Sequence, residues 1–201
     1  MNKKNVAILG IILCSIYFLV TFLLILTSSK IWLTAMELVT MVSGVYMIML
    51  ILIIPFSKND KMINYKIVAI IFASSCMILT NVAHIVNLTV TEQLIKNGII
   101  IPDYLQIGKW PSVEMAIDYL AWGLFMGLAF LFSSFGIENE QKFKNLKTTL
   151  RVCGCLCMVG FLGAIEINQN LWYIAPLGYG IGTVVLCFQL LILFKGINRF
   201  D

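Results

Sequence analysis

With 201 residues, 60% of them hydrophobic and 12% charged, the chain carries more apolar side chains than a water-soluble fold of its length can bury. Its mean hydropathy of +0.95 makes lipid the solvent for most of its surface. The net charge of +4 sits at the ends of the apolar runs and reads as a topology signal, not as a nucleic-acid patch.

Those runs are continuous and about 20 residues long, the length a helix needs to cross about 30 Å of hydrocarbon. A β-barrel would instead show segments of roughly 10 residues with alternating polarity. The expected fold is therefore an all-α integral membrane protein, a single bundle of six transmembrane helices spanning about 5–27, 32–55, 67–91, 113–135, 150–167 and 172–194. The first run follows Lys3-Lys4, as in a signal peptide. It is long enough to span, no small-x-small cleavage site follows it, and Leu13 before Cys14 departs from a lipoprotein cleavage box. It is read as a retained helix.

Loop charges orient the bundle. Lys3, Lys4, Lys58, Lys61, Lys66, Lys142, Lys144, Lys147, Arg151, Lys195 and Arg199 fall on one side, against Lys30, Lys96 and Lys109 on the other: eleven against three. The positive-inside rule places the first set, and with it both termini, in the cytoplasm. Ile, Lys and Asn usage suits a low-GC bacterium, and hence its plasma membrane. The third loop, 92–112, contains Gly98-Ile-Ile-Ile101-Pro102 and Lys109-Trp110-Pro111, and is too apolar for a simple aqueous linker. An interfacial helix or a cap over the outer face is expected there. Trp110, Trp172, Tyr173 and Trp32 fall at the outer boundary, where amphipathic rings belong.

Two patterns are packing signals. Cys153-x-Cys155-x-Cys157 lacks CxxC spacing, and on a helix only Cys153 and Cys157 share a face. Gly178-x-Gly180-x-Gly182, after Pro176, lacks the Lys and strand context of a phosphate loop and marks a close-packed or kinked helix. No cysteine lies in an outer loop, so no disulfide framework is implied.

Function must lie with the intramembrane polar groups, because charge inside a bilayer is costly. Glu37, His84, Glu114, Asp118 and Glu166 all map to the outer half of the membrane, and the inner half holds mainly Gln189. Glu114 and Asp118 are four residues apart on one helical face that Trp122 continues; Asn81 and His84 share another. Gly123 and Gly127 lie roughly opposite the acidic face and permit a close helix crossing, which makes the fourth helix a candidate for the bundle centre. Ser112 caps that helix, but Met115 stands where a capping box needs Glu or Gln.

The expected site is an outward-facing polar pocket built from Glu37, Asn81, His84, Glu114, Asp118 and Trp122, opening among the second, third and fourth helices. It would bind or transport a small cation, an amine or a proton-coupled solute. A second reading makes the chain a non-catalytic immunity, sensor or assembly factor whose polar groups hold helices together. A third is an intramembrane enzyme on a lipid-like substrate, using His84 with a carboxylate. The residues assign no catalytic group, metal or cofactor; the partners expected are the bilayer and a small ligand, not nucleic acid.

Overall fold

A computed structural model describes residues 2–106 and 109–197. Arg199, counted above among the eleven cations, lies outside the described residues, as do Ile107 and Gly108 of the third loop. Among the described residues six helices are long and apolar enough to cross a membrane: α1 Lys3–Thr27, α2 Lys30–Ile53, α3 Met62–Lys96, α4 Val113–Phe135, α5 Gln141–Glu166 and α6 Gln169–Lys195. These are compatible with a polytopic membrane protein.

Local chemistry sets the helix ends. Asn2 caps α1 by accepting from the Lys4 N–H at 3.0 Å, and Ser29 caps α2 by accepting from the Ile31 N–H at 3.3 Å. Ser112 caps α4 through the Met115 N–H at 3.2 Å. Helix α2 stops at Ile53, just before Pro55, which lacks an N–H to continue it. Helix α3 runs five residues past the predicted span. It ends at Asn97, where Gly98 takes the left-handed φ of 77° that favours glycine.

Apart from the third loop, 97–112, the connections are short, and the helices run up and down in chain order. Each packs against its neighbours in sequence, and α1 packs on α6 to close a ring. Helix α4 is a member of that ring, between α3 and α5, and does not occupy its axis. The α4–α5 contact uses the glycines read from sequence. A Cβ on Gly127 would stand 3.1 Å from the Gly154 carbonyl oxygen, and one on Gly154 would stand 2.8 Å from that of Gly127. The two backbones therefore touch, the geometry small-xxx-small faces permit.

The end bearing Lys3 and Lys195 is here the terminal end, and the opposite one the distal end. The terminal half is densely packed, with Leu50, Ile53, Phe130, Leu150 and Leu190 fully buried. Its loops are tied together: the Ser57 hydroxyl donates to Glu138 at 2.7 Å, and the Ser57 N–H donates to the Gly136 carbonyl at 3.0 Å. The distal half is less regular. Three helices widen there into π-helical turns, at Asn87–Thr91 in α3, Tyr119–Phe125 in α4 and Leu177–Ile181 in α6. Such turns shift side-chain register and recur at functional sites. Of the third loop as expected at 92–112, Glu92–Lys96 is helical and ends α3, and a 3-10 turn covers Asp103–Leu105. Ile101 tucks inward there, whereas Ile100 is 93% exposed.

Candidate functional site

A cavity of about 300 Å³ lies inside the ring in its distal half. Helices α1, α2, α4 and α6 supply nearly all of its wall, and α3 supplies His84. The wall thus includes α2, α3 and α4, among which an opening is expected, together with α1 and α6. Tyr17, Phe18, Trp122, Trp172 and Tyr179 give it an aromatic wall, and Met36, Met47 and Met115 add soft apolar surface. Asp118 is the one carboxylate among the lining residues, and no Lys or Arg is among them.

His84 and Asp118 are the chemical centre. His84 Nε2 lies 3.8 Å from Asp118 Oδ1, inside ion-pair range and beyond a hydrogen bond. His84 is 2% exposed, yet neither of its ring nitrogens has a hydrogen-bond partner, and Asp118 Oδ1 has none. The Trp122 indole N–H is the donor beside the Asp118 carboxylate, without reaching hydrogen-bond geometry. Buried polar groups are normally satisfied, so these unpaired atoms in the cavity wall stand out as exceptions.

The aromatic wall is braced from behind. Trp110 of the third loop stacks on Tyr119 with ring centroids 4.9 Å apart, Tyr119 stacks on Trp172 at 4.1 Å, and Tyr179 packs against Trp122 at 4.9 Å. This column runs from the distal loop into the cavity and fixes two tryptophans as its walls.

Of the residues expected in the pocket, His84, Asp118 and Trp122 line the cavity; Glu37, Asn81 and Glu114 are not among its lining residues. Glu37, 1% exposed, accepts a short hydrogen bond from the Asn87 amide across the α2–α3 contact. The Asn81 amide donates to the Met77 carbonyl at 2.8 Å and reaches the Met41 carbonyl of α2 at 3.4 Å. Glu114 is 5% exposed, and its Oε2 has no partner. Lys30 pairs with Glu92 close by, and Glu92 and Glu114 both act electrostatically on Glu37. Glu37, Asn87, Glu92 and Glu114 thus form a polar layer separate from the cavity. Glu166 is exposed at the end of α5.

The cause of the split is register. Met115, Asp118 and Trp122 share the cavity face, while Glu114 turns aside. Around the helix Met115 falls to one side of Asp118 and Glu114 to the other, so a face that holds Asp118 and Met115 leaves Glu114 aside. Tyr17, Trp172 and Tyr179 escaped sequence reasoning because an aromatic facing lipid and one facing a cavity look alike in an apolar run. Trp172, expected at the lipid boundary, is buried.

At the terminal end a second hollow of about 290 Å³ is lined by polar residues including Glu140, Lys144, Lys147 and Arg151. Its charges are partly engaged: Lys147 donates to the Ile137 carbonyl at 3.0 Å and to Asn139. Lys142 pairs with Glu140 at 2.7 Å, and that hydrogen bond holds the Glu140 carboxyl below the usual carboxylate range. Among the described residues no three His, Cys, Asp or Glu side chains converge as metal ligands would. Comparison with protein families, curated proteins and solved structures finds no match to this chain.

Proposed function

We propose that the chain is a polytopic membrane protein, with cytoplasmic termini, that binds a small organic amine in the distal cavity. The observation that carries this reading is the open pair of His84 and Asp118 in an aromatic chamber without a Lys or Arg. Once the two side chains turn toward the cavity, an ammonium can donate one N–H to Nε2 and one to Oδ1, atoms that lie 3.8 Å apart and buried without it. Asp118 supplies the counter-charge, His84 a neutral acceptor, and the ring faces of Trp122, Trp172 and Tyr179 attract the cation further.

The test is equilibrium binding of ethylamine to the purified protein in nanodiscs. A charge-assisted hydrogen bond contributes about 1.5–3 kcal/mol, so Asp118→Asn is expected to weaken binding about 10- to 100-fold. Glu37→Gln, in the separate polar layer, is expected to change it less than about twofold. Unchanged affinity in Asp118→Asn refutes the assignment.

A second reading, an intramembrane acid–base enzyme, draws on the same His84–Asp118 apposition. Turnover of a lipid-like substrate that His84→Gln abolishes would select it over binding alone. The helix-gluing reading finds support in Glu37, Asn81 and Asn87, which bond within the protein, but it leaves the cavity unexplained.

A further inference from the structure

The cavity wall is thin in one direction. Helix α1 packs along the Gly182–Ile197 half of α6, whereas beside the π-helical turn Leu177–Ile181 their contact is sparse. There the wall is Phe18 facing Gly180: a Cβ on Gly180 would stand 3.5 Å from Phe18 Cζ. Phe18 lines the cavity and is 42% exposed. A single phenyl ring therefore separates the chamber from the surface that lipid would cover. Around it Phe22, Ile25 and Leu26 are exposed as well, so the surface outside this window is hydrocarbon-facing.

The distal end offers a different path. Its rim is Leu24, Leu33, Met115 and Trp172, with no polar group to replace the hydration of an ion arriving from water. Trp172 is held there by its stack on Tyr119. An ammonium with a short chain would lose its water at that rim without compensation. A single-chain amine already in the membrane has its hydrocarbon beside α1 and α6, where the Phe18–Gly180 contact is the thin part of the wall.

We propose that the ligand is a membrane-dissolved, single-chain primary amine. Its ammonium group passes between α1 and α6 at the Phe18–Gly180 window and reaches Asp118, while its alkyl chain stays threaded through the window into lipid. This rests on the amine reading of the cavity. Phe18 is the movable part of the window, and Gly180 keeps it open, because any side chain larger than methyl would meet the Phe18 ring.

The experiment compares ethylamine with n-dodecylamine by titration calorimetry in nanodiscs, subtracting protein-free nanodiscs. Each methylene moved out of water contributes about fourfold, so dodecylamine is expected to bind at least about 100-fold more tightly, with both affinities dependent on Asp118. Gly180→Leu, which fills the window, is expected to weaken dodecylamine at least tenfold. Phe18→Ala is expected to speed dodecylamine association at least threefold in stopped-flow. It decides alone if Gly180→Leu does not fold, since an unchanged rate overturns the proposal. Asp118-dependent ethylamine binding without any gain from the longer chain overturns the lateral route and leaves the amine reading standing. If neither amine binds, both are overturned. Dodecylamine uptake that Asp118→Asn leaves intact reports partition into lipid alone and also overturns both.

Discussion

Replacing Asn87 by Leu tests whether the Glu37 layer is structural. Glu37 is 1% exposed, and the Asn87 amide is its hydrogen-bond donor. Without that donor the carboxyl stays buried and unsatisfied, at a cost of about 1–3 kcal/mol. Membrane hydrogen bonds measured by double-mutant cycles lie lower, near 0.6 and at most about 1.7 kcal/mol, because the membrane-inserted unfolded chain also finds partners. Taking both into account, Asn87→Leu should destabilise by about 1.4 kcal/mol, about tenfold in the unfolding equilibrium. Glu37→Gln keeps an acceptor oxygen and should cost less than about 1 kcal/mol. The pair Glu37→Leu with Asn87→Leu should cost less than Asn87→Leu alone, because no buried polar atom remains unpaired. The assay is reversible unfolding in mixed micelles, followed by circular dichroism. A double variant whose loss equals the sum of the single losses would refute the coupling, and with it the structural role given to Glu37.

Gly127→Leu drives a side chain into Met158 and the Gly154 carbonyl, and should cost about 1–3 kcal/mol in the same assay; Gly180→Ala, whose Cβ meets ordinary contact distance, should cost little. Sidedness follows from the loop charges: in whole cells Ser28→Cys should react with an impermeant thiol reagent, and Lys58→Cys should react only after permeabilisation, the reverse result inverting the topology. Lys142→Ala should move the Glu140 titration upward, toward the usual carboxylate range, read by the NMR shift of its carboxyl carbon. The sign is that of a carboxyl lowered in the folded state: the pairing is present above the unfolded value and is lost as pH falls through the folded one. An unmoved midpoint would show that the pair does not form in solution.

The six helices were legible because continuous apolar runs separated by charged loops leave no alternative structure in lipid. Their ends were less so. Helix α5 begins at Gln141, where the polar Lys144–Thr149 stretch gives no hydropathy signal but is helical all the same. The site was legible to the extent that it is polar. His84 and Asp118 were conspicuous as ionisable groups in apolar runs, and the structure sets them 3.8 Å apart on one wall. Glu37 and Glu114 were equally conspicuous, yet they belong to a neighbouring layer, since polarity marks burial without naming the partner. That Asn87 satisfies Glu37 depends on the π-helical turn beginning at Asn87, for which the residues carry no local signal. The aromatic half of the cavity was silent for the reason that makes it work: Tyr17, Trp172 and Tyr179 are as compatible with lipid as with a ligand.

The closed ring has a consequence for how the protein is made. Five of its six interfaces join helices adjacent in the chain, so each can form as soon as the later partner enters the bilayer during synthesis. The sixth joins the first helix to the last and must wait for α6. Tyr179 and Gly180 arrive with that helix, so until then the chamber is an open trough along α1, α2 and α4, with Asp118 facing lipid. From the insertion of α4 until α6 arrives, the chain therefore carries Asp118 without its enclosure. A stop codon or a stalled ribosome before α6 should leave an intermediate that membrane quality control can tell from the finished protein by that one exposed carboxylate.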